Sequence, residues 1–277
     1  MIKFIENEPF SPIQYTYEVD NILFKGRSSY QEILVLETPD FGKVLVLDNI
    51  VQLTQRDEFF YHEMLVHIAM HTHPCPKKIV VIGGGDGGAV REVLKHESVE
   101  KVYLAELDKQ VIEVSKNLLK FVSQSLDNPK VEIHIGDGSE FIKGVKDIDV
   151  VIVDSTDAIG FARSLYSYDF FLHVKKALKD DGLFVTHSES LCFHRDVTIE
   201  IQETLKKVFS IVDLYSVPIA TYPGNWWTFS IASMKYDPRK PQKAPVTGVR
   251  FYDSEVHKWC FLPKTLYQRI MNKELKW

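Results

Sequence analysis

From Ile13 to Thr54 apolar and polar positions alternate: Tyr15, Tyr17 and Val19, then Ile33 and Val35, then Val44 and Val46. Pro39-Asp40-Phe41-Gly42 and Asp48-Asn49 punctuate the runs. A period of two broken by turn residues predicts an antiparallel β-meander. Thr54, three residues before Asp57, has the look of a capping box, and Tyr61, Met64, Leu65 and Ile68 then keep helical spacing to about His71. His73-Pro74-Cys75-Pro76 breaks that helix. Beyond it, short apolar runs at 79–82, 102–105, 131–135, 150–153 and 183–187 alternate with helical stretches, which predicts a parallel, doubly wound sheet. Residues 227–234 add a strand, and Tyr236-Asp237-Pro238-Arg239-Lys240-Pro241 leads out of it. The expected division is a small N-terminal β-domain at 1–56, an α/β domain at 57–240 and a C-terminal tail at 241–277.

Chemistry enters at the first strand of the α/β part. Gly83, Gly85 and Gly88 form a G-x-G-x-x-G frame directly after an apolar run and before a helix, the context of a Rossmann-like nucleotide loop. Glycines let the backbone turn sharply and approach a ligand, and the helix start offers unpaired N–H groups. The second strand ends in Glu106, where an acid can accept both hydroxyls of a ribose. Asp108 is placed to cap the following helix. The third strand ends in Gly136-Asp137-Gly138, where Asp137 can receive the exocyclic amine of adenine or serve a turn. The arrangement is that of a class I methyltransferase-like sheet. Asp86 separates two kinds of adenosine ligand, because a carboxylate inside the loop repels a pyrophosphate and suits a cationic tail. It is also suited to cap the next helix.

Two carboxylates, Asp154 and Asp157, end the fourth strand at the edge where doubly wound folds bind ligands. Upstream, Asp57-Glu58-Phe59-Phe60-Tyr61-His62-Glu63 gathers acids and aromatic faces, which suit an ammonium. Composition agrees: the formal net charge is −5 and the basic residues are dispersed, so neither nucleic acid nor an anionic membrane surface is an expected partner. Cys75, Cys192 and Cys260 match no metal or redox spacing. With no basic-then-apolar start and no apolar run near the ~20 residues of a membrane helix, a cytoplasmic protein is expected.

In combination, Leu47-Asp48-Asn49-Ile50-Val51-Gln52-Leu53-Thr54, Asp57 to Met64, Gly83 to Gly88 and Val153-Asp154-Ser155-Thr156-Asp157 resemble the spermidine synthases, with Tyr222-Pro223-Gly224-Asn225-Trp226 similar to a later aromatic segment of that family. The resemblance runs in order from about Tyr15 to Met234. It implies transfer of an aminopropyl group from decarboxylated S-adenosylmethionine, a co-substrate, to putrescine, with neither cofactor nor metal. It implies that Gln31, Gln52 and Phe161 border the nucleoside, Glu106 holds the ribose, Asp137 and Gly138 meet adenine, and Asp86 binds the donor's ammonium. On the acceptor side it implies Tyr61, His62, Asp86, Asp154, Asp157 and Tyr222, with Asp154 taking the proton from the attacking amine. A homodimer or homotetramer is expected.

Two departures bear on acceptor choice. Where the family usually reads Pro-x-Gly-Pro-Ala after the aspartates, this chain has Ala158-Ile159-Gly160-Phe161-Ala162-Arg163, and His187 stands where many relatives carry glutamine. Arg163 turned inward would repel the far ammonium of a long polyamine; turned to solvent it would be screened. An S-adenosylmethionine methyltransferase shares the sheet and the ribose acid but has no use for Asp86 and the aspartate pair. A dehydrogenase lacks a hydride-transfer pair here, and a bare binding module needs no acceptor acids.

Overall fold

Strands β1 (Ile2–Asn7) and β2 (Gln14–Val19) form an antiparallel ribbon. Then β3 (Asn21–Arg27), β4 (Glu32–Thr38), β5 (Gly42–Leu47) and β6 (Ile50–Thr54) make a four-stranded meander in chain order. Asp48 and Asn49 take positive φ of 47° and 65°, as the two-residue hairpin turn that matches strand twist requires. The chain is described here by a computed structural model covering residues 2–156 and 160–275, without the side chains of Gly160 and Phe161.

The expected capping box forms by half, the Asp57 backbone N–H donating to Thr54 Oγ1 at 3.3 Å, while the Asp57 carboxylate does not reach back to the Thr54 backbone. Thr54 Oγ1 donates to Asp57 Oδ1 at 2.6 Å, and Asp57 Oδ2 accepts from the backbone and hydroxyl of Thr221 at 3.1 and 2.8 Å. Asp57 therefore ties the start of helix α1 (Glu58–Thr72) to the loop before Tyr222 instead of capping it.

The central sheet has seven strands: β7 (Lys78–Gly83), β8 (Lys101–Glu106), β9 (Val131–Ile135), β10 (Ile148–Asp154), β11 (Leu178–Ser190), β12 (Ile211–Val217) and β13 (Trp227–Ser233). Their spatial order is β12-β13-β11-β10-β7-β8-β9, parallel from β11 to β9, with β13 antiparallel to both β11 and β12. β11 runs beyond the expected 183–187 because β13 pairs with it as far as Ser190 opposite Trp227. Every residue of β10 is buried, the pattern of a parallel strand covered on both faces. The chain order reverses between β7 and β10, so the switch point lies where Gly83 pairs with Asp154.

All of α1 except Phe60 is buried. Met64, Leu65 and Ile68 pack in one core with Val81, Ile152 and Phe229 of the sheet. The other side is covered by the C-terminal segment: the Phe60 and Phe251 rings lie 4.6 Å apart, and Glu63 accepts the backbone N–H groups of Arg250, Phe251 and Tyr252 at 2.7–2.8 Å. Two short helices, Ser254–Trp259 and Lys264–Met271, follow, with Phe261 bridged to Tyr215 of β12. Cys75 and Cys192 are exposed and Cys260 is buried, all three as free thiols. Among the described residues no helix is long and apolar enough to cross a membrane.

Candidate active site

The switch point opens into a cleft of about 950 Å³. Gln31, Gln52, Glu106, Asp137 and Gly138 line one part of it, and Tyr61, His62, Asp86, Asp154 and Tyr222 line the other. Asp157 lies outside the described residues, as does the side chain of Phe161. Arg163 is exposed and Ala162 and Leu165 face the cleft on either side of it, so the inward-turned arginine considered from sequence is not found.

The loop after β7 must be glycine for steric reasons. Gly83 has φ +80°, and a Cβ there would stand 2.1 Å from the Asp154 carbonyl; a Cβ on Gly88 would stand 2.3 Å from the His62 ring. The loop can thus lie flat against β10 and α1. Helix α2 (Gly88–Leu94) starts from it. Gly85 N–H donates to Glu106 Oε2 at 3.0 Å and Asp108 N–H to Glu106 Oε1 at 2.9 Å, which fixes the carboxylate at the end of β8. Burial pushes Glu106 up to about 7 despite these donors. Asp108 caps helix α3 (Lys109–Leu118) through Gln110, as expected, and also accepts from Ser28 Oγ at 2.6 Å and Gln31 Nε2 at 2.9 Å. Asp137 accepts from Ser139 N–H at 2.7 Å, so it caps the short helix Gly138–Phe141 while lining the cleft.

Asp86 Oδ1 accepts from Gly88 N–H at 2.7 Å, at the first residue of α2, and stands 3.3 Å from His62 Nε2. His62 Nδ1 meets Glu58 Oε2 at 2.7 Å, and Arg91 clamps Glu58 with two N–H···O contacts of 2.9 Å. Burial works against charge on His62, but Asp86 and Glu58 outweigh it and hold the imidazolium well above its ordinary range. Burial also opposes ionisation of Asp86, yet His62, the Gly88 N–H and Arg91 keep it below the usual carboxylate range. Asp154 has weaker support. Burial first, then the Asp86 charge, push it up to about 7 against His62 and a hydrogen bond from Tyr61, and its Oδ2 has no partner among the described residues.

One ligand atom from each of His62, Asp86 and Asp154 lies within 4.8 Å of the others. Both nitrogens of His62 are engaged by Glu58 and Asp86, which leaves it no lone pair for a metal. The group instead presents two carboxylates beside aromatic faces, Tyr61 and Tyr222 having centroids 5.8 Å apart. Such a wall attracts ammonium groups.

Glu58, one of the acids expected to suit an ammonium, is instead taken up by His62, its i, i+4 neighbour on one helix face, and by Arg91, to which no local pattern in the sequence points. A smaller cavity of about 30 Å³ shares Gln52, Tyr61 and Tyr222 with the cleft and ends on Glu6, Glu8 and His194. His194 bridges Glu8 at 2.6 Å and Glu189 at 3.2 Å. No local signal marks this group, because its members meet only through the fold. His187 lies at the wall of the same cavity, its Nε2 2.7 Å from the Tyr166 hydroxyl and its ring stacked on Trp227 at 5.7 Å.

A switch-point cleft on a class I methyltransferase-like sheet, with acids at three strand ends, defines a Rossmann-like group-transfer enzyme. Residues 58–242 match the family model of the spermine/spermidine synthase domain and residues 2–55 that of the spermidine synthase tetramerisation domain. The chain is 48% identical to polyamine aminopropyltransferase 1 of Aquifex aeolicus over 277 residues, covering 100% of this chain and 99% of that protein. Among solved structures it is similar to a spermidine synthase in complex with the transition-state analogue AdoDATO, with TM-score 0.92, 36% identity and coverage of 98% and 95% of the two chains. The spermidine synthase from Thermotoga maritima is similar with TM-score 0.89, 35% identity and coverage of 98% and 94%. The chain belongs to the spermine/spermidine synthase family and is an aminopropyltransferase of polyamine biosynthesis. The match of its first domain supports an oligomer.

Proposed function

We propose that the enzyme transfers the aminopropyl group of decarboxylated S-adenosylmethionine to putrescine, giving spermidine and 5′-methylthioadenosine, without cofactor or metal and as a homodimer or homotetramer. The observation that carries this reading is the convergence of Asp86 and Asp154 within 4.8 Å at the switch point, one held ionised and the other held basic. Glu106 holds the ribose, Asp137 and Gly138 meet adenine, and Gln31 and Gln52 border the nucleoside. Asp86 takes the donor's terminal ammonium. Asp154 receives the acceptor.

A primary amine near pKa 10 must lose a proton before it can attack, which costs about 4 kcal/mol at neutral pH. Asp154 orients the ammonium through Oδ2 and accepts the proton as the amine lone pair forms the new C–N bond. The C–S bond breaks, its electron pair neutralises the sulfonium, and 5′-methylthioadenosine leaves uncharged. The analogue-bound relative is a spermidine synthase of the same fold, which supports this assignment. With Arg163 at the surface, channel depth selects the amine: the far ammonium reaches toward the Glu8–His194 end, and putrescine is the acceptor expected.

The test measures 5′-methylthioadenosine release with putrescine, cadaverine, agmatine and spermidine, in wild type and in Arg163→Glu. Putrescine should give the highest kcat/KM, and Arg163→Glu should leave the ranking unchanged; spermidine as best wild-type acceptor would make the enzyme spermine-forming. Calorimetry should also show clear preference for the decarboxylated donor over S-adenosylmethionine. The extra carboxylate meets Asp86 with a repulsion of up to roughly 4 kcal/mol at about 4 Å and an effective dielectric near 20. Equal affinity for the two sinks the donor assignment.

A further inference from the structure

Helix α1 carries a second set of polar side chains beyond those at the cleft. His67 and His71 stand one helical turn apart on the same face, and His96 follows α2. One ring nitrogen from each lies within 4.8 Å of the other two, and the three residues are 0%, 0% and 2% exposed. Hydrogen bonds decide which nitrogens are available. His67 Nε2 meets Glu92 Oε2 at 2.9 Å, so it carries the proton and turns Nδ1 toward His96 Nε2, 3.0 Å away. His71 Nδ1 donates to the His67 carbonyl at 2.8 Å, which leaves Nε2 as the nitrogen it can offer. Among the described residues that Nε2, and His96 Nδ1, are buried without a partner.

We propose that His67, His71 and His96 form a binding site for one divalent transition-metal ion of borderline softness, zinc being the reference case. Zinc–nitrogen bonds of about 2.0–2.1 Å in tetrahedral geometry separate ligating nitrogens by about 3.4 Å. The His67–His96 contact needs to open by only about 0.4 Å for the ion to sit between the two nitrogens, the proton they share moving to His96 Nδ1. Glu92 behind His67 completes the carboxylate–histidine arrangement that orients metal-bound imidazoles. Three nitrogens and no oxygen donor exclude magnesium and calcium as the fitted ion. Two cations stand near: Lys95 is neutralised by Glu92 at 2.6 Å, and burial lowers the Lys243 ammonium. The site is not part of the reaction. It clamps α1 to the end of α2 beneath the segment that covers it, where Tyr252 stacks on His71 at 4.7 Å and Gln242 N–H donates to the His71 carbonyl at 2.7 Å.

Because the cluster is sealed, the test loads metal during expression of the full chain in zinc- or cobalt-supplemented medium, then desalts and measures bound metal by plasma mass spectrometry. About one ion per chain should be retained, and the cobalt form should show the intense visible bands of a low-coordinate nitrogen site. His71→Gln and His96→Gln should each abolish retention, and Glu92→Gln should weaken it by about 10–100-fold. In a thermal scan, zinc-loaded wild type should melt above the zinc-free form, and His96→Gln should show no difference. A wild-type chain that is natively folded yet retains no metal overturns the proposal. So does an ion kept by both histidine variants but lost in Asp86→Asn, which would place it in the cleft.

Discussion

Replacing Asp154 by asparagine should make the enzyme slower and the ligand-free protein more stable, and the second effect should depend on pH. Asp154 is buried and pushed up to about 7, whereas an unfolded aspartate titrates near 3.9. An acid raised in this way leaves the folded chain holding more protons than the unfolded chain between those values. Stability is therefore lost as pH rises through that window and stays lost above about 7. The full difference corresponds to about 4 kcal/mol, of which roughly a third has been lost by about pH 5. The asparagine side chain does not ionise, so the variant's advantage over wild type should grow by about 2–3 kcal/mol between about pH 5 and pH 8. At about 2–4 °C per kcal/mol, the gap in Tm between variant and wild type should widen by roughly 5–10 °C. Turnover should meanwhile fall by on the order of 10²–10⁴-fold, with the deficit shrinking at high pH as free amine becomes available. Thermal unfolding at the two pH values and a pH–rate profile measure both effects. A Tm gap that does not change with pH would falsify the claim that Asp154 is held basic by burial.

Gly88→Ala should displace the His62 ring, since the added Cβ would fall 2.3 Å from it, and should cost about 1–3 kcal/mol of stability together with most donor affinity, read by unfolding and calorimetry. Glu63→Ala leaves the N–H groups of Arg250, Phe251 and Tyr252 without their acceptor and should lower stability by about 2–4 kcal/mol, with faster hydrogen exchange at 250–252; unchanged exchange there would refute the role of Glu63 as anchor.

The doubly wound sheet and the small antiparallel domain were legible because their signals are local: a period of two at Tyr15, Tyr17 and Val19, and apolar runs at regular intervals after His73. Glu106, Asp86 and Asp154 could be singled out because strand ends are readable and a doubly wound sheet gathers its strand ends at one edge. β1 and β12 escaped notice, although Pro9 and Pro12 follow the first and Ser210 and Pro218 flank the second. Asp57 was legible only in part, for a different reason. Its spacing to Thr54 is that of a cap, but its other oxygen is claimed by Thr221, 164 positions away, which no local pattern records. The same holds for Glu8 and His194, joined across 186 positions. Arg163 was open from sequence because a loop arginine has no periodicity to fix its direction.

The grip of Glu63 on residues 250–252 also has a consequence for the order of events as the chain is made. Tyr61 and His62 sit on the helix that this grip helps to bury, yet the residues gripped are synthesised after every residue that lines the cleft. Until they emerge, α1 has an uncovered side. Catalytic competence is thus withheld from the nascent chain, and a truncated product ending before Arg250 should carry every cleft residue and still have little activity.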